Sequence, residues 1–287
     1  MSTAGGHQIV RTFHSTCMIS DYDASVDALA RVAGLRVLEY SEMELIGRRG
    51  GMTWIGDNSM EVGQPIVEGH AAQRFVQRVG PGMHSYALQV VDLEATIAHL
   101  GEGGVSLGVR PAEGFCFTDP RTTGGLLFEW SNFTVDEDPR IGAPTPAYTT
   151  DPILDVTTHA FVGAVVPDPI EWAETYAALF GFTEAFRHTS APLGEPVVGL
   201  GAPDCILALH RLPGPQSSDL WGVEHHRSRC HVLGLGVPDL AAAESALESA
   251  GVGLVRRGEA ALVVDPSQTG EVPLVVIEGL LPGDPRA

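Results

Sequence analysis

Apolar and polar positions along the chain follow two rhythms that alternate. HSYALQVVDL (84–93) and HVLGLGVPDL (231–240) share one layout, a His at the start of an apolar strand-like run and an Asp eight positions later. Looser copies begin at His14 (HSTCMISDYDASVDALARVAGL) and His159 (HAFVGAVVPDPIEWAETYAALFGF). After each run comes a segment with apolar residues at three-and-four spacing: SVDALARVAGL, LEATIAHLGEGGV, IEWAETYAALFGF and LAAAESALESAGV. These predict four helices, each capped by an Asp that accepts from free N–H groups and each closed near a Gly. Beyond each helix the pattern turns β-like again, as in VGLGAPDCILAL and ALVVDPSQTGEVPLVVIEGL, short apolar runs cut by turn residues.

The predicted unit is therefore strand, helix, then three strands, and it occurs four times. His14 and His159 are 145 positions apart, His84 and His231 are 147, and Glu129 and Glu278 are 149. The units thus pair into two halves. TVDEDPRIGAPTPAYTTDP (134–152), with four prolines and no periodicity, has linker composition. This predicts an α+β chain of two tandem domains, 1–148 and 149–287, the expected organisation for 287 residues.

Charge narrows the function. A formal net charge of −19 repels nucleic-acid phosphates and anionic membrane surfaces. All 17 cationic residues are Arg, so lysine Schiff-base chemistry and a phosphate-loop lysine are excluded. No apolar run has the length of a membrane span and MSTAGGHQIVRTF does not read as a secretory signal, so a cytoplasmic location is expected. Cys17, Cys116, Cys205 and Cys230 are scattered and read as buried thiols. No strand-to-helix GxGxxG, P-loop or GxSxG motif occurs.

GPGMHSYALQVVDLEATIAHL (80–100) and FCFTDPRTTGGLLFEW (115–130) resemble the second module of methylmalonyl-CoA epimerases. Through them nearly the whole chain resembles the vicinal oxygen chelate superfamily, which includes glyoxalase I, extradiol ring-cleaving dioxygenases and bleomycin-resistance proteins. The resemblance implies paired βαβββ modules, each pair curling a mixed sheet with flanking helices into a cup. It also implies a divalent metal, Zn, Fe, Mn, Co or Ni, held by the first and last strands of the modules. Carried over by residue, the ligands of the first domain are His14, Glu61, His84 and Glu129. A second set would be His159, His231 and Glu278, with Ala208 where Glu61 stands. The carboxylates within LLFEW and LVVIEG support this, because a buried carboxylate needs a partner or a metal.

The activity so implied is proton transfer through an enolate, as in an epimerase or a glyoxalase-like lyase, on a small oxygenated or acyl-CoA substrate. The Glu that commonly serves as base is replaced by RRGG (48–51), so Glu42 and Glu44 are the substitutes. Tyr86, at strand period two from His84, is expected to line the same cup, and Arg121, with Arg48 and Arg49, to meet an anionic substrate. His210 is read either as a replacement ligand or base in the second cup or as a strand-end surface residue, and His225 and His226 as loop residues. A ring-cleaving dioxygenase would use the His-His-Glu set of the second domain, but its catalytic His and Tyr align with Gly199 and Gln268. A non-catalytic small-molecule or antibiotic-binding protein is the third reading. The partner expected is a small molecule, and homo-oligomerisation is left open.

Overall fold

The structure, a computed structural model, describes residues 7–188, 197–211 and 228–287. His225 and His226 lie outside the described residues. The first half runs β1 (Ile9–Met18), α1 (Tyr22–Ala33), β2 (Arg36–Met43), β3 (Arg48–Ile55), β4 (Asn58–Pro65), α2 (Ala71–Val79), β5 (Gly82–Val90), α3 (Leu93–Glu102), β6 (Leu107–Ala112), β7 (Phe115–Thr118) and β8 (Phe128–Ser131). The second repeats this plan: β9 (Thr158–Val166), α4 (Pro169–Phe180), β10 (Thr183–His188), β11 (Val197–Ala202), β12 (Cys205–Arg211), β13 (Arg229–Val237), α5 (Leu240–Ser249), β14 (Leu254–Arg257), β15 (Leu262–Val264) and β16 (Leu274–Glu278). The strands form two eight-stranded mixed sheets, ordered β2-β3-β4-β1-β5-β8-β7-β6 and β10-β11-β12-β9-β13-β16-β15-β14. The chain is therefore α+β, four βαβββ modules paired in tandem.

Local chemistry sets these elements. Asp21, Asp92, Asp168 and Asp239 each take the N-cap of a helix and accept from backbone N–H groups of its first turn. Gly34 and Gly181 close α1 and α4 with φ of 70° and 72°, a left-handed conformation that costs glycine little. Among the described residues no helix is long and apolar enough to cross a membrane. All four cysteines are free and buried.

One continuous core draws on both halves. The helix α4 lays Tyr176 and Phe180 on the first sheet, with ring centroids 5.2 Å from Phe128 and 5.1 Å from Trp130. A reciprocal pair of clamps joins the halves. Arg140 ion-pairs with Asp204 of the β11–β12 turn, and Arg286 with Asp57 of the β3–β4 turn. Each Arg also binds the Asp two residues before it, Asp138 or Asp284. The turn carboxylates accept from the opposite half's first strand, Asp204 from Thr12 N at 2.7 Å and Asp57 from His159 N at 2.9 Å. His159 thus occupies the place of Thr12, not of His14.

Candidate metal centre

Strand pairing assembles a polar cluster in the first cup. His14 of β1 stands opposite Ala87 of β5, which stands opposite Glu129 of β8. Thr16, two residues beyond His14, pairs with Glu61 of β4. The His14, Glu61 and Glu129 side chains are all buried, and one ligand atom from each lies within 4.8 Å of the others.

His14 Nδ1 is 3.1 Å from Thr16 Oγ1, whose hydroxyl donates to Glu61 Oε2 at 3.3 Å. The other ring nitrogen, His14 Nε2, lies 3.5 Å from Glu129 Oε1. Glu129 Oε2 is buried without a hydrogen-bond partner. The Glu61 carboxylate also binds the Arg48 guanidinium. Burial raises the Glu129 carboxyl, but His14 and Arg48 more than offset this and hold it below its usual value. Two carboxylates and an imidazole converge in a buried site, and one oxygen of Glu129 there has no hydrogen-bond partner. Such a donor set fits a divalent cation of the Zn, Fe, Mn, Co or Ni kind.

The cluster opens into a cavity of about 240 Å³, whose wall includes Phe13, Phe115 and Phe133, with Glu39, Ser41 and Met43 from β2. Strand alternation puts residues 39, 41 and 43 toward the cavity and Glu42 away from it, exposed and accepting from Tyr40 at 2.9 Å. Glu44 lies exposed in a single helical turn after β2. The expected bases therefore do not face the cluster, whereas Glu39 lines its cavity. A one-residue shift in alternation phase would have found Glu39 in the sequence.

Two other expectations on β5 fail, the first at a β-bulge. The pairing of β5 steps from Thr16↔Ser85 to Cys17↔Met83, leaving His84 as the extra residue. His84 meets the edge of Phe75, with ring centroids 4.6 Å apart, and borders a different groove. Desolvation, helped by Arg48, pushes its pKa down to about 4 and leaves it neutral at pH 7. Tyr86 faces the shared core, fully buried, with its hydroxyl 2.7 Å from Thr12 Oγ1, so it does not line the cup. Arg121 is exposed, bound to Asp119, and borders the groove of His84.

The second cup has lost the cluster. Gly163 pairs with Ala208 as Thr16 does with Glu61, so the row His14–Ala87–Glu129 becomes Phe161–Gly234–Val275. Phe161, Phe186, Ile206, Val232, Val275 and Ile277 fill this cup as an apolar cluster. The aromatic rings need glycine beneath them: a Cβ at Gly234 would lie 2.1 Å from Phe161, and one at Gly199 2.2 Å from Phe186. His159, His231 and Glu278 do not converge. The two histidines are buried, while Glu278 is exposed at the end of β16 and accepts from Leu240 N at 3.4 Å. His210 is buried rather than at the surface, its Nε2 3.7 Å from where a Cβ on Gly163 would lie. The 145-residue spacing of His14 and His159 is two short of the 147 that the paired strands give, and this slip created the second set.

No protein-family model matches the chain, and no curated protein matches it. Among solved structures, a triple mutant of 4-hydroxymandelate synthase from Streptomyces coelicolor is similar over 97% of this chain and 95% of its own, with 14% identity and a TM-score of 0.68. Methylmalonyl-CoA epimerase from Mycobacterium tuberculosis matches 51% of this chain over 93% of its own, with 20% identity and a TM-score of 0.41. The whole-chain likeness shows a shared fold, two tandem eight-stranded sheets of paired βαβββ modules.

Proposed function

We propose that the chain is a metal-dependent enzyme whose chemistry lies in the first cup, with domains 1–148 and 149–287 as working half and support. His14, Glu61 and Glu129 would hold a divalent cation. The observation that carries this reading is the contrast between the cups: buried donors converge in one, and phenylalanine and valine fill the other.

The reaction that suits this cavity is proton transfer beside a carbonyl of a small anionic substrate. When bound, the cation supplies electrostatic stabilisation to the enolate charge. Thr16 fixes the His14 ring by its hydrogen bond, and Arg48 supplies a positive charge for a substrate carboxylate. Glu39 is the carboxylate on the cavity wall able to accept a proton without leaving the ligand set. Phe13, Phe115 and Phe133 exclude water from one side of the cavity.

The ring-cleaving reading needs two His and a Glu converging in the second cup, but His159, His231 and Glu278 do not converge and Phe161 and Val275 stand at the register positions of His14 and Glu129. The test is NMR in D₂O with metal-loaded protein and a panel of 2-substituted thioesters and 2-oxo acids. The expected result is α-proton exchange that Glu39→Gln lowers by about 100-fold, the scale of a lost general base. Oxygen uptake with catechols and no exchange would overturn the reading.

A further inference from the structure

A second groove, lined by residues of both halves, gathers arginines in a chain that carries a net charge of −19. It is seen as two overlapping cavities of about 650 and 580 Å³. Arg74 and Arg78 project from one face of α2, Arg121 comes from the turn after β7, and Arg229 opens β13 of the second half. Arg48 lines the groove as well as the cavity of the carboxylate cluster.

Among the described residues, three of these five arginines have no counterion. Arg48 is paired with Glu61, and Arg121 with Asp119, the carboxylate that borders the groove. Arg74 is bonded to the carbonyl of Gly69. For Arg74, Arg78 and Arg229 there is no ion-pair partner among the described residues. Arg229 is the decisive one. It is only 8% exposed, donates from Nη1 to the carbonyl of Val79 at 3.3 Å, and has a buried Nε with no acceptor. A guanidinium removed from water without a carboxylate is costly, and three like charges on one groove add to that cost.

We propose that this groove is an anion site for a phosphoryl group, a multiply charged oxyanion whose several acceptors match the fork of Arg229 and the two helix arginines. His84 adds a neutral imidazole to the wall. The groove is large enough to take an organic body behind the phosphoryl group. Nothing in the site requires the metal, so the proposal stands apart from the chemistry assigned to the first cup.

Titration calorimetry with pyrophosphate and with ADP, at low and at physiological salt, tests it. The wild type should bind with an affinity that falls as salt rises. Arg74→Gln combined with Arg78→Gln, both on exposed side chains that do not endanger the fold, should weaken binding by at least about 10-fold. Arg229→Met should abolish it. Arg110→Gln removes an exposed arginine that is paired with Glu94 outside the groove and should leave affinity unchanged. Equal affinity for the two probes would make the inorganic anion the ligand, and tighter ADP binding a phosphorylated organic molecule; either supports the site. No binding by the wild type, or equal weakening in the Arg110 variant, would overturn it.

Discussion

Replacing His14 by Ala or Glu129 by Gln is expected to lower the affinity for Zn²⁺, Mn²⁺ or Co²⁺ by more than about 100-fold, beyond the 10- to 100-fold that loss of a merely orienting neighbour costs. The reason is geometric. His14 Nε2 and Glu129 Oε1 face each other at 3.5 Å, and the second Glu129 oxygen is buried without a partner. Either substitution removes a donor from the converging set. Thr16→Val, which removes only the hydroxyl that orients His14, should fall within the smaller range. His159→Ala, His231→Ala and Glu278→Gln should leave metal content unchanged, because these three do not converge. Elemental analysis and competition with a chelator read out all six variants. Equal metal in the wild type, His14→Ala and Glu129→Gln would contradict the assignment.

Arg140→Met is expected to destabilise the protein by about 3 to 5 kcal/mol, the cost of leaving a buried ion pair with one member. The Arg140 guanidinium donates to the carbonyls of Thr12 at 2.7 Å and Phe13 at 2.9 Å, and to Ser59 Oγ at 2.6 Å, besides Asp138 and Asp204. It therefore ties β1 and β4, the strands that carry His14 and Glu61, to each other and to the second half. Methionine keeps most of the stem but strands these acceptors, with Asp138 only 4% exposed. Burial raises the Asp138 carboxyl, but the Arg140 hydrogen bond and charge outweigh it and hold the pKa below the usual value. Stability from that depressed pKa is present above the unfolded carboxylate value of about 3.9 and is lost as pH falls through the folded one. Urea melts at pH 7 should show the full loss for Arg140→Met and a change within about 0.5 kcal/mol for Arg257→Met, an exposed control. A loss below about 1 kcal/mol for Arg140→Met would show that the clamp does not hold the halves.

The sequence disclosed what depends on local pattern. The four Asp caps, the βαβββ order and the placing of His14, Glu61 and Glu129 on three strands all followed from periodicity and from family resemblance. The errors came from tertiary register, which periodicity does not encode. A bulge takes His84 out of the alternation, and Tyr86, alternating with the cup-facing Ala87, faces the core. A two-residue slip made His159 the counterpart of His14, although the shared contact with an opposing Asp equates it with Thr12. One register signal does lie in the sequence. Asp-Pro-Arg occurs at 119–121, 138–140 and 284–286, and each of the last two copies ends a half in the arginine that clamps the other.

If the first cup, and not the second, is the metal centre, diffraction from crystals of metal-loaded protein at the absorption edge of the bound ion will show it. One anomalous peak is expected within bonding distance of His14 Nε2, Glu61 and Glu129, and none beside Phe161, Ala208 and Val275. A peak among His159, His231 and Glu278, or full occupancy at a place remote from His14 and Glu129, would refute the assignment.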